Sequence, residues 1–389
     1  MSEDILDPIR ALLPGVREDA VKVEALRTIP QETMRALVGT GLLRTFQPRA
    51  LGGAEGDPAA FFAGIRLLSS GCGSVGWTAS LMGTTAWHVA LLEEQAHDEV
   101  WGDDPDALVT SSYAPLGRLV PDEAGYRLSG TWNSVVGADL ADWMMLGSQV
   151  IGRSGEPIDY AAVLLPRSEV EVGEAWGAVG LRGTGTRAVT VEETHVPLHR
   201  VYATARRSTL VEALRAPTAP ALYRVPYAAI YSTSITAPLL GAAEGAYAYY
   251  TERSRQRSRL SLGARSGEDP STSLAIARGL NELDASVLQI ERDLRELHAC
   301  ALHNEPVPIE LRLRARRDQV LSTERAVDAI ELLLRAAGGH GVQGSTPILR
   351  AWRDIHTGAA HLVNNVGQGA GLYGRWALGF GVDDTLVSV

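Results

Sequence analysis

At 389 residues, with 45% hydrophobic and 21% charged side chains, the chain can bury two or three packed domains and is no disordered polymer. A formal charge of −10 excludes the basic footprint that nucleic acid or an anionic membrane requires. Two cysteines, Cys72 and Cys300, cannot build a disulfide framework and read as reduced, buried thiols. The opening MSEDILDPIR has no charged-then-apolar leader pattern, and no apolar run reaches the roughly 18–20 residues that span a bilayer, so the expectation is a soluble, cytoplasmic protein.

The first hundred residues read as helices. Pro30 starts one whose apolar positions Met34, Leu37, Val38 and Leu42 fall at helical spacing, with Gly39 and Gly41 at its end. Pro48 and Gly52-Gly53 mark a loop, Phe61, Phe62, Ile65 and Leu68 give a second amphipathic face, and a third apolar helix runs from about Gly76 to Leu92. From about 107 to 203 the texture changes. Short runs such as Tyr126–Ser129, Trp143–Leu146 and Ala188–Val191 alternate with turn residues, the spacing of a small β-barrel or sandwich. Residues 204–226, with Pro217, Pro220 and Pro226, read as a linker. Helices return from 227. One carries Leu280, Leu283, Val287, Leu288 and Ile290, a second runs from Arg312 to Ala337 after the Pro306/Pro308 break, and a third from Asp354 to Asn364. The expected division is 1–106 helical, 107–203 β, 204–226 linker and 227–389 helical bundle, with no internal repeat.

Helix, β, helix in that order is similar to the acyl-CoA dehydrogenase fold, an α+β architecture of N-terminal helical domain, middle β-domain and C-terminal four-helix bundle. Six stretches in order carry the resemblance: Cys72–Trp77, Ala86–Leu91, Thr110–Pro115, Gly130–Trp132, Val179–Gly185 and the terminal Trp352-Arg353-Asp354. Together they resemble the oxygenase components of two-component flavin monooxygenases that hydroxylate phenolic seco-steroids, aromatic polyketides or 4-hydroxyphenylacetate. The match extends from about Leu42 to Gly374.

The resemblance implies reduced FMN (or FAD) and O2 as cofactors and a C4a-hydroperoxyflavin that hydroxylates a small phenolic or polycyclic aromatic substrate. It also implies a homotetramer served by a separate NAD(P)H:flavin reductase and, from the polyketide relatives, a place in secondary metabolism. Gly183-Thr184-Gly185-Thr186 lacks both the P-loop ending and the dinucleotide fingerprint, so the chain should not bind NAD(P)H itself. Other readings stay open: an N- or S-oxygenase of the same fold, an acyl-CoA dehydrogenase-like protein, or a flavin-free scaffold.

Dehydrogenases of this fold carry a catalytic glutamate eight residues after the shared Asp, in a Glu-Gly-Thr run. Here that place is Leu362, within the stretch His361-Leu362-Val363-Asn364, so a histidine stands one residue before it. An imidazole there can donate to a peroxide or accept a phenol proton, so His361 is the first catalytic candidate. His88, on an apolar helix, is read equally as a packed core histidine or a substrate-side acid. A His356/His361 metal pair is a poor reading, since five helical steps turn the two faces about 140° apart, and no metal is expected.

The flavin should be held by Trp77, Ser111, Ser112, Tyr113, Ser134, Val135, Val136, Gly339, His340 and Leu362. Arg259, chosen over Arg257 by its spacing to Gly263 and Asp269, should reach the flavin phosphate, often across a subunit interface. Where steroid-type hydroxylases continue Gly-x-Trp with an aromatic, two serines and a glycine, this chain has Ser134-Val135-Val136-Gly137. With Leu140 nearby also apolar, the pocket should be more apolar than theirs.

Overall fold

The structure, a computed structural model, describes residues 5–204, 219–260, 270–344 and 346–383. Five helices come first: α1 (Leu6–Leu26), α2 (Gln31–Gly39), α3 (Pro58–Ser69), α4 (Gly73–Val89) and α5 (Glu94–Trp101). Local chemistry sets their ends. The Asp57 carboxylate accepts from the Ala59 N–H, and Pro58 occupies the first turn, where no N–H partner is needed, so α3 starts there. Its Phe61, Phe62, Ile65 and Leu68 are all buried. Every residue of α4 is buried, so this helix is the central post of the molecule.

Seven strands follow: β1 (Val109–Asp122), β2 (Gly125–Val135), β3 (Trp143–Ile151), β4 (Pro157–Pro166), β5 (Glu171–Ala175), β6 (Arg187–Pro197) and β7 (Val201–Ala203). They form one sheet in the order β5-β6-β2-β1-β3-β4-β7, antiparallel except for the β1–β3 pair. Alternation divides its side chains between two faces. Met144 and Leu146 join a core with Leu119, Leu128, Trp132 and Val189, while Met145 between them packs with Ala86, Val89 and Trp101 of α4 and α5. Ser111–Tyr113 lie inside β1, where the β1–β3 register breaks between Ser112 and Gly117.

The C-terminal helices are α6 (Tyr227–Leu260), α7 (Pro270–Leu302), α8 (Ile309–Ala337), α9 (Pro347–Ala359) and α10 (Val366–Ala377). Thr346 caps α9 by accepting from the Leu349 N–H, and Asn365 caps α10 through the Gln368 N–H. The helices on either side of the sheet share a single hydrophobic core, from Ile9 and Val16 through Val75 to Leu240, Ile330 and Ile355. Of the expected linker, 205–218 lie outside the described residues, as do Gly263, Asp269 and the side chain of Arg259. Among the described residues no helix is long and apolar enough to cross a membrane.

The sequence pattern predicts a last bundle helix running through Asn364. The structure ends α9 at Ala359, and Leu362–Asn364 form a separate 3-10 turn. His361 therefore sits on a turn, and the 140° argument that separated it from His356 on one helix does not apply.

Candidate active site

An aromatic row joins α4, β1, α6 and the turn after α9. His88 donates or accepts through Nδ1 to the Tyr113 hydroxyl at 2.8 Å, and that hydroxyl meets the Tyr227 hydroxyl at 2.8 Å. Tyr227 stacks on Trp87 with centroids 4.8 Å apart. Tyr231, one turn along α6, meets Tyr113 edge-on at 5.2 Å and lies 6.3 Å from the His361 ring, which in turn lies 6.4 Å from Trp77. A histidine thus stands at each end of the row, and the row contains no carboxylate.

Both imidazoles are neutral. Burial pulls the pKa of His88 down to about 3. That of His361 falls to about 4, through burial first and then the nearby Arg316 charge. Desolvation penalises the charged ring in each case. The His361 Nδ1 accepts the Val363 N–H at 3.2 Å, so the neutral ring carries its proton on Nε2 and presents a donor there. The phenols are also held neutral: burial drives Tyr113 and Tyr231 far above the ordinary tyrosine value, and Tyr227 likewise.

The Arg353-Asp354 pair is structural rather than reactive. Arg353 pairs with Glu24 of α1. Asp354 is buried, and its Oδ1 accepts the Leu181 N–H at 2.5 Å. Its other oxygen lies at the start of α4, where a Cβ on Gly73 would meet it at 2.7 Å. That helix has no side-chain cap, and this oxygen faces its positive end without a hydrogen-bond partner among the described residues. Burial nevertheless raises the Asp354 pKa to about 7. Gly180 lets the β-domain loop press onto this joint, because a Cβ there would lie 2.1 Å from the Arg353 carbonyl oxygen. Gly358 does the same beside Trp77, whose ring a Cβ would meet at 2.8 Å.

The other expected positions are distributed unevenly. Ser111 is buried and bonds Thr85 Oγ1 at 2.9 Å, Ser112 is half-buried, and Trp77 is buried beside His361. Ser134 is exposed and Val136 half-buried, but Val135 points into the sheet core with no exposure. Leu362 is 76% exposed. His340 and Gly339 lie elsewhere: His340 contacts Tyr249, whereas His361 contacts Tyr231 eighteen residues earlier on α6, about 27 Å of helix away. Within one chain the two ends cannot share a ligand of small size. His356 bonds Glu331 at 3.0 Å and packs on Trp352, a packing role.

Sequence reasoning missed Tyr227 and Tyr231. Their i, i+4 spacing just after Pro226 puts both on one face of a helix start, the only local sign of their role.

The helical cores flanking a sheet, and the joint between β-loop and bundle, define an acyl-CoA dehydrogenase-like fold; residues 233–366 match the family model described as acyl-CoA dehydrogenase, C-terminal domain. The chain is 40% identical to the flavin-dependent monooxygenase oxygenase subunit HsaA of Rhodococcus jostii, covering 97% of this chain and 99% of that one. It is 30% identical to the FADH2-dependent resorcinol hydroxylase oxygenase component of a Rhizobium species, covering 93% and 91%. The crystal structure of 3-HSA hydroxylase from Rhodococcus sp. RHA1 superposes with a TM-score of 0.94 at 39% identity, over 99% of both chains. The protein belongs to the family of flavin-dependent monooxygenase oxygenase components, and is an enzyme of that class.

Proposed function

We propose that this chain hydroxylates a small phenolic or polycyclic aromatic substrate with reduced flavin delivered by a separate NAD(P)H:flavin reductase. The observation that carries the reading is the row of aromatic side chains closed at its ends by neutral imidazoles, His88 buried and His361 half-buried, without a carboxylate. A dehydrogenase base needs that carboxylate, and an aromatic guest fits a row that offers ring faces and edges. The names of the relatives, a resorcinol hydroxylase among them, agree with a phenolic guest.

The residues present fit a flavin. Where the β1–β3 register shifts after Ser112, the strand backbone lies beside the Ser111 and Ser112 hydroxyls, a donor set suited to a polar ring edge. Trp77 would pack alongside the ring, with Ser134 and Val136 at its edge. Arg259 and the His340 turn would serve the phosphate end or a neighbouring subunit in a homotetramer. FMN is the expected form, with FAD the alternative. When bound, reduced flavin supplies activated oxygen.

The protein's own groups then handle protons. His361 Nε2–H donates to oxygen beside it. Tyr113 and Tyr227 form a relay from His88 that can hold a substrate hydroxyl in line. An anion bound beside either ring favours the protonated imidazole, so proton uptake there is coupled to ligand charge. The reading is tested by titrating reduced and oxidised FMN and FAD, and by assaying a panel of phenols with an added flavin reductase. The expected result is preferential binding of reduced flavin and coupled product formation. Stoichiometric flavin reduced directly by NADH in the pure protein would count decisively against it.

A further inference from the structure

Four arginines crowd one turn and a half of α8: Arg312, Arg314, Arg316 and Arg317. Arg314 pairs with Asp293 and Glu296, and Arg317 with Asp318. Arg316 makes no ion pair among the described residues. Its Nη1 donates to Gln319 Oε1, and its Nη2 donates to the Val363 carbonyl at 2.5 Å. Val363 is also the residue whose N–H donates to His361 Nδ1.

The rest of the turn is pinned by neutral groups. Asn364 Nδ2 donates to the Gly358 carbonyl at 2.9 Å. Its Oδ1 accepts from Gln319 Nε2 at 2.8 Å and from Thr323 at 3.2 Å, and the same Gln319 amide donates to Thr236. A half-buried guanidinium without an acid partner costs free energy, and desolvation pulls the Arg316 pKa down to about 10. Such a cost calls for a purpose at this place. The groups facing His361 are Arg316 from α8, the titratable Tyr231 from α6 and the non-titrating Trp77 from α4. His356, on the preceding helix, is engaged with Glu331.

We propose that Arg316 is the positioning residue of His361: it clamps Val363 by its carbonyl, so that the Val363 N–H fixes the imidazole as the Nε2–H tautomer, and its positive charge opposes protonation of the ring. The inference rests on the reading of His361 as the group that acts on the bound oxygen, but it has a readout independent of turnover. Burial is the first cause of the depressed His361 pKa, and the unpaired cation beside the ring lowers it further. A donor at Nε2 is then present throughout the neutral pH range.

The test is NMR of ring-labelled histidine in the full-length protein, with His361→Ala identifying the resonance. The wild type should show the Nε2–H tautomer and a midpoint far below that of free imidazole. Arg316→Gln should raise the midpoint, with burial still holding it below the ordinary histidine value near 6.5, and mix the tautomers. It should also raise the share of hydrogen peroxide in turnover. Arg316→Lys keeps the charge but, as a point donor, cannot hold Gln319 and Val363 together, so the midpoint should stay low while the tautomer mixes. Should the Gln variant not fold, the Lys variant carries the test. An unchanged tautomer and midpoint in the Gln variant, or an unchanged tautomer in the Lys variant, overturns the proposal. Full coupled turnover in His361→Ala would remove the catalytic reading of His361, while the NMR spectra of the Arg316 variants would still decide the positioning role.

Discussion

The two ends of the aromatic row hold their histidines by opposite means. His88 is part of α4, a helix with every residue buried, and its one hydrogen bond is to a phenol. His361 stands in a short turn outside any α-helix, held by a backbone amide and flanked by a cation. Burial keeps both rings neutral, but only the turn can change without disturbing the core. Precision at the buried end comes from packing; at the other end it comes from hydrogen bonds to a segment of four residues. The first should fail as stability and the second as chemistry.

The largest expected effect follows at the turn. His361→Ala should cut coupled product formation on the order of 10²–10⁴-fold, with hydrogen peroxide released instead, while the melting temperature changes little. Product and peroxide assays beside a thermal melt measure both. A comparable loss of stability would erase the contrast with His88.

Next comes the buried end. Tyr113→Phe leaves His88 Nδ1 and the Tyr227 hydroxyl without their shared partner, and should cost about 1–3 kcal/mol of stability. Denaturant titration gives the value. A neutral outcome would mean that the relay is not a structural unit. In a double-mutant cycle with His88→Ala the losses should be strongly non-additive, because the two changes break the same contact.

A third prediction concerns acid. Both histidines have folded-state pKa values below the ordinary 6.5, so their contribution is present above pH 6.5 and is lost as pH falls toward about 4 and 3. Asp354 runs the other way. Its raised value makes its contribution full below 3.8 and lost as pH rises through about 7, so Asp354→Asn should flatten stability over that window. Melts from pH 4 to 8 on the wild type, Asp354→Asn and His88→Gln separate the two slopes.

The smallest effect should be at His356. Its contacts are Glu331 and Trp352, neither of them part of the row, so His356→Ala should leave coupling unchanged and cost only a few tenths of a kcal/mol, as for a half-exposed ion pair. Equal behaviour of the His356 and His361 variants would remove the assignment of His361.

Composition, helical periodicity and turn residues were enough to read the helix–β–helix order, the buried faces of α2 and α3 and the strands at Tyr126, Trp143 and Ala188. Each of these depends on residues a few places apart. The pairing of Trp77 with His361 and of His88 with Tyr113 came within reach only because a family pattern placed them near one cleft. What stayed hidden depends on long-range packing. No local signal shows that α9 stops at Ala359, since its end is set by hydrogen bonds from Asn364 to Gly358 and from Gln319, forty-five residues away, to Asn364. Nor does a run of four arginines reveal which one turns inward. Periodicity and transfer free energy act locally, so the order of residues was sufficient to say which segments must bury apolar faces. Which polar groups meet inside was settled by packing alone, because each such contact joins segments whose separation along the chain leaves no trace in either.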